Sequence, residues 1–106
     1  MKTAVVYFSQ GGATRSFARA EANARGADLL EAVPVKKYNP LTAFTRGCPA
    51  AIRQKSVPLQ KNLNLSEYER IVLMAPVWAG FPAPPFNTMV NLLPSGKEVE
   101  VLLVSA

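Results

Sequence analysis

Lys2-Thr3-Ala4-Val5-Val6-Tyr7-Phe8-Ser9-Gln10-Gly11-Gly12-Ala13-Thr14-Arg15 is the stretch whose reading decides the fold. Its first half, Lys2 to Phe8, is a short apolar run rich in β-branched and aromatic residues, as in a buried strand. Its second half is a turn of small and hydroxyl residues. The turn leads into Arg15-Ser16-Phe17-Ala18-Arg19-Ala20-Glu21-Ala22, an Ala-rich helical segment. A strand, a tight Gly-Gly turn and a helix aim several backbone N–H groups at one spot in front of the helix. The helix dipole adds partial positive charge there, so the spot suits a phosphate. Ser9 and Thr14 can add hydroxyl donors, while Gly11 and Gly12 let the backbone come close.

Outward from this turn, the spacing predicts a helix from near Thr14 to Arg25, with Gly26 as its C-cap. Asp28 to Val33 reads as a second strand, stopped by Pro34. Two strands joined by such a helix form a right-handed βαβ unit and hence a parallel sheet. Residues 34–65 are broken by Asn39-Pro40 and Gly47-Cys48-Pro49, with a short helix expected from Pro49 to Lys55. Arg70 to Ala75 is continuously apolar after its first residue, as expected of a central parallel strand. Pro76 to Pro85 reads as a loop carrying Trp78. A third helix is expected over Pro84 to Leu93 and a fourth strand over Glu98 to Val104. The pattern is β-α-β-α-β-α-β. It brings the loops after strands one and three together at the carboxyl ends of the strands, where open α/β sheets bind ligands.

Composition bounds the chemistry. The 106 residues fit one domain, and 49% apolar against 18% charged residues describes a globular chain. Cys48 is the single cysteine, which excludes an internal disulfide, and the chain has no histidine. Ser-His and Cys-His nucleophiles and histidine zinc sites are therefore excluded, and Cys48 reads as structural. No catalytic side chain and no metal ligand are expected. No apolar run approaches ~18 residues and no signal peptide precedes the first strand, so the expectation is a cytoplasmic protein without a membrane span. Formal net charge is +5, with Lys36, Lys37, Arg46, Arg53, Lys55 and Lys61 falling where no acidic residue interrupts them. Such a patch can dock an acidic partner or nucleic acid. Without a known binding motif beside it, the reading favours a solvated face.

A phosphate at one loop and the flat ring of Trp78 at the other describe a mononucleotide, and FMN fits better than a dinucleotide. The G-x-G-x-x-G fingerprint is missing, and no Gly-Lys-Ser/Thr follows Gly12. Val5 to Thr14 resembles the first strand and FMN-phosphate loop of the flavodoxins. Leu65 to Tyr68 and Ile71 to Gly80 resemble their third strand and flavin-stacking loop, and the resemblance runs in order along almost the whole chain. It implies a three-layer, doubly wound parallel sheet of order 2-1-3-4 and non-covalent FMN. On matching positions Ser9, Gln10, Gly11, Gly12, Ala13 and Thr14 would hold the phosphate, with Arg15 adding a charge-assisted bond. Trp78 would stack on the isoalloxazine. Pro76, Val77, Ala79, Gly80 and Phe81 would shape its edge, and Ser105 would begin a third flavin-contacting loop. An electron-rich ring in a water-poor pocket lowers the flavin potential, and Gly80 would permit a peptide flip toward the flavin N5.

Three features depart from the family pattern. Gly11 stands where a hydroxyl residue is usual, the charge is basic where relatives are acidic, and residues 1–106 stop at the fourth strand. The expectation is a sheet lacking the family's fifth strand and last helices. The first helix's face would then be partly bare, and Val99, Val101 and Leu103 would lie on an open edge suited to homo-oligomer formation. The leading functional reading is electron transfer between redox partner proteins. The alternatives are an FMN-dependent NAD(P)H:acceptor reductase of the quinone type and a flavin-free binding or assembly module.

Overall fold

The structure, a computed structural model, describes residues 2–9, 12–35, 53, 57–60, 63–78 and 81–104. The elements run β1 (Thr3–Tyr7), α1 (Ala13–Arg25), β2 (Asp28–Glu31), β3 (Arg70–Trp78), β4 (Phe81–Pro82), α2 (Pro84–Asn91) and β5 (Glu98–Val104). The strand expected over Glu98 to Val104 forms over those residues. The helix expected over Pro49 to Lys55 lies outside the described residues apart from Arg53, as does most of the basic stretch.

β3 is the middle of the sheet. β1 pairs parallel along one of its edges, with Ala4 opposite Ile71 and Tyr7 opposite Met74. β5 pairs parallel along the other, from Arg70–Glu98 to Pro76–Val104. β2 lies outside β1, with Tyr7 opposite Glu31. Counting the four parallel strands alone, the order is the expected 2-1-3-4.

Two differences from the sequence reading have one cause. β3 runs three residues past Ala75, and Phe81–Pro82 form a short antiparallel strand on it, with Val77 opposite Pro82 and Trp78 opposite Phe81. The Phe8 N–H donates to the Met74 carbonyl at 3.0 Å, and the next ladder bond would need an N–H on Pro76. Pro76 has none, so β1 leaves the edge there. The Pro76 carbonyl instead accepts from the Ala83 N–H at 3.0 Å, and β4 occupies the edge that β1 gives up. β2 also stops two residues short of the expected Val33. From there the chain turns to residues 57–60: the Gln60 N–H donates to the Val33 carbonyl, the Val35 N–H donates to Pro58, and Pro34 bridges Leu59.

Alternation along the strands builds two cores. Ala4, Val6, Ile71, Leu73 and Ala75 face α2, where they meet buried Met89, Leu65 and Tyr68, with Phe86, Leu92 and Leu93 packed alongside. Val5, Tyr7, Val72 and Met74 face α1 and meet Ala18 and Ala22. Each large aliphatic side chain so buried stabilises the fold by about 1.5–3 kcal/mol. The buried stripe of α1 is Thr14, Ala18 and Ala22, four residues apart, and its small side chains let the helix lie close to the sheet. Gly26, at φ +61°, ends α1 with the Ala27 N–H bonded to the Ala22 carbonyl at 2.9 Å, a Schellman closure. Arg25 near that end reaches Glu100 on β5 at 2.6 Å and Glu21 at 3.0 Å, tying the helix to the edge strand.

Candidate functional site

The carboxyl ends of β1 and β3 meet at one rim of the sheet. After β1, Gly12 takes φ +98° and ψ −10°, a conformation costly for residues with a Cβ. α1 starts there: the Ser16 N–H donates to the Gly12 carbonyl at 3.1 Å, and the Ser16 hydroxyl does so at 3.2 Å. The side chain that caps the helix comes from further back. Ser9 Oγ accepts the N–H of Arg15, the third residue of the helix, at 3.2 Å. Accepting that bond leaves the Ser9 O–H free to donate to a ligand. No acidic residue lies in the first turn of α1, so nothing there opposes an anion. A Cβ built on Gly12 meets no atom within 4 Å, which marks open space in front of the turn.

Of the predicted phosphate residues, Ser9, Gly12, Ala13, Thr14 and Arg15 come together at this helix start, while Gln10 and Gly11 lie outside the described residues. Thr14 is 2% exposed and, among the described residues, the only buried polar side chain. The Arg15 side chain is engaged within the chain. Its Nη2 donates to Glu31 Oε2 at 2.8 Å and its Nε to Tyr7 Oη at 3.3 Å. The bonds to Tyr7 and then Glu31 push the guanidinium further above its ordinary pKa, so it stays charged. Sequence reasoning missed these partners. The only signal for them was the parallel register, which sets Glu31 beside Tyr7, one residue before the turn region. The ion pair offsets the charge of Glu31, which the register places at the same end of the sheet as the turn.

The second wall comes from β3 and β4. Pro76 and Val77 are half-buried at the end of β3, the backbone of Trp78 pairs with that of Phe81, and Ala83 bonds back to Pro76. Ala79, Gly80 and Ser105 lie outside the described residues. Where sequence reading saw a free loop after β3, a two-stranded lip is fixed beside the end of β1. The start of α1, with its amide donors and the Ser9 hydroxyl, and the half-buried Pro76 and Val77 lie at the same end of the sheet. That donor set fits a phosphorylated ligand with a flat apolar ring.

No protein-family model matches this sequence, and no curated protein does. Solved structures do match. A candidate flavoprotein from Bacteroides eggerthii superposes with a TM-score of 0.88 at 21% identity, covering 99% of this chain and 71% of its own. The fold is flavodoxin-like. A second candidate flavoprotein, from Bacteroides uniformis, gives a TM-score of 0.87 at 27% identity over 99% of this chain and 72% of its own. A flavoprotein from Lactobacillus acidophilus NCFM, solved in complex with FMN, gives 0.83 at 23% identity, covering 99% and 75%. The flavodoxin-like frame thus spans nearly all of residues 1–106. No helix among the described residues is long and apolar enough to cross a membrane.

Proposed function

We propose that this protein binds FMN non-covalently at the carboxyl ends of β1 and β3 and passes electrons between partner proteins. The observation that carries the reading is the helix start at Gly12. Its φ of +98°, the Ser9 cap on the third amide and the acid-free first turn make an anion cradle. The cradle sits in a fold shared with a flavoprotein solved in complex with FMN.

In this reading the amides of Gln10, Gly11, Gly12, Ala13 and Thr14, with the Ser9 hydroxyl, hold the phosphate. Pro76, Val77, Trp78, Ala79, Gly80 and Phe81 border the isoalloxazine, and Ser105 adds a contact from beyond β5. Bound FMN supplies the redox chemistry that a chain with no histidine and one cysteine lacks. The protein's own residues bind, orient and exclude water. Arg15 occupies Glu31 and so keeps an acidic group from opposing the phosphate. No side chain is assigned a proton transfer.

The test is an FMN titration followed by fluorescence. Trp78 is the only tryptophan and reports its own site. The expected result is saturable quenching that is weaker for Ser9→Ala and weaker for riboflavin, which lacks the phosphate. In Trp78→Phe, read by flavin fluorescence, affinity falls. Bound flavin reduced by dithionite should then be reoxidised by a one-electron acceptor protein, with no steady-state oxidation of NAD(P)H. A folded protein that shows no saturable change would overturn FMN binding. Sustained NAD(P)H turnover with a quinone would replace the carrier by a reductase.

A further inference from the structure

We propose that the cleft at the end of β2 holds the adenosine half of a dinucleotide, so that the site takes FAD as well as FMN. This rests on the turn at Gly12 being a phosphate cradle and adds a second subsite to it. The cleft has a volume of about 460 Å³ and is lined by Glu31, Val33, Gln60 and Leu63. That volume falls within the range of about 300–1,000 Å³ usual for small-molecule sites. β2 is the opposite edge of the sheet from β5.

Main-chain bonds hold its two walls together. The Gln60 N–H donates to the Val33 carbonyl at 2.7 Å, the Val35 N–H donates to the Pro58 carbonyl at 2.9 Å, and Pro34 bridges Leu59. The Gln60 side-chain amide, on an exposed residue, takes no part in these bonds and can both donate and accept. Half-buried Val33 and Leu63 offer apolar surface to a purine. Glu31 supplies the acceptor. Arg15 Nη2 bonds its Oε2 at 2.8 Å, which fixes the carboxylate and leaves Oε1 for a ribose hydroxyl.

The position of that carboxylate carries the argument. In dinucleotide-binding βαβ units an acid about 20 residues after the glycine turn, at the end of the second strand, hydrogen-bonds the ribose 2′-hydroxyl. Glu31 ends β2 nineteen residues after Gly12, in the unit made by β1, α1 and β2. The absent G-x-G-x-x-G fingerprint concerns the turn, whereas the four residues of the cleft lie outside it. The strand order also suits a dinucleotide. β1 lies between β2 and β3, so a phosphate at its end has the cleft on one side and the lip of β3 and β4 on the other. Neighbouring strands are about 4.8 Å apart, a step that the second phosphate and ribose of FAD can cover. A lone carboxylate beside a diphosphate would oppose it, and the Arg15 ion pair offsets that charge.

Isothermal titration of residues 1–106 with FMN, FAD and FAD carrying 2′-deoxyribose in its AMP half tests this. FAD is expected to bind about tenfold or more tighter than FMN, and the deoxy compound to lose much of that gain. Gln60→Ala removes the side-chain amide and Val33→Trp fills the cleft. Each should weaken FAD by about tenfold and leave FMN affinity and the circular dichroism unchanged. Glu31→Gln should weaken FAD more than the deoxy compound, a difference that a merely structural role for Glu31 would not produce. FAD binding no tighter than FMN overturns the cleft and leaves FMN binding standing. Tighter FAD binding that is indifferent to Gln60→Ala, Val33→Trp and the 2′-hydroxyl places the adenosine elsewhere and overturns it too. If neither flavin binds to the folded chain, the phosphate cradle itself falls, and the cleft with it.

Discussion

Replacing Gly12 by alanine separates the phosphate cradle from the rest of the fold. The φ of +98° lies beyond the left-handed minimum near +57° and would cost an L-residue about 2 kcal/mol. Alanine also narrows the unfolded ensemble, which returns about 0.4–1 kcal/mol. No atom lies within 4 Å of the added Cβ, so no clash adds to this. The net destabilisation is about 1 kcal/mol, or a Tm lower by roughly 4–8 °C for a domain of this size. The turn relaxes toward negative φ and the first amides of α1 swing off the anion. Loss of a single charge-assisted bond, about 1.5–3 kcal/mol, lowers FMN affinity by roughly 10- to 150-fold. Riboflavin, without the phosphate, should bind as to the unmodified protein. Gly26→Ala is the matched control: its φ is +61° in equally open space, but at the other end of α1. It should cost similar stability and leave FMN affinity unchanged. Isothermal titration with both ligands, beside thermal melts of both variants, reads all of these quantities. Wild-type FMN affinity in Gly12→Ala, or an equal loss of FMN binding in Gly26→Ala, would refute the assignment of the phosphate to this turn.

Other expectations concern the frame. The Tyr68 hydroxyl donates to Asp28 Oδ2 at 2.8 Å, and this bond, with burial, pushes its pKa up to about 12. A raised folded-state pKa contributes stability below the unfolded value near 10 that is lost as pH rises toward 12. Tyr68→Phe should therefore flatten the alkaline limb of a pH–Tm curve. Glu100 behaves with the opposite sign: its bond to Arg25 lowers the carboxyl pKa, so its contribution is present above the ordinary carboxylate range. That contribution is lost as pH falls through the folded value, and Glu100→Gln should blunt the acid limb of the same curve. Thr88 Oγ1 accepts the Val57 N–H at 2.9 Å and donates to the Val57 carbonyl at 2.6 Å. Thr88→Val leaves both backbone groups unpaired and should cost about 1–3 kcal/mol in chemical denaturation.

Local chemistry was enough wherever it repeated along one segment. The apolar runs of β1 and β3 and the Gly26 stop of α1 were legible because burial on both faces and a left-handed cap leave direct marks on composition. The lip of β3 and β4 was hidden because Pro76, Gly80 and Pro82 read as breakers. In the sheet, Pro76 breaks only the ladder to β1 and frees that edge for Phe81–Pro82. At the site, the strand, the Gly-Gly turn and the helix start were legible as local structure. The capping of Arg15 N–H by Ser9 and the capture of the guanidinium by Glu31 were not, because they join residues that become neighbours only through the fold.

The parallel pairing of β1 with β3 also dictates how the chain can fold. Ala4 sits opposite Ile71, so β1, once synthesised, waits for sixty-seven further residues before its central partner exists. At about 5–20 residues per second that is roughly 3–13 s. During it β1, α1 and β2 can assemble, with Ala4 and Val6, both wholly buried in the finished sheet on the face away from α1, still uncovered. Residues 1–35 should therefore populate an early, sticky βαβ intermediate, and the closing of β3 should set the rate of folding.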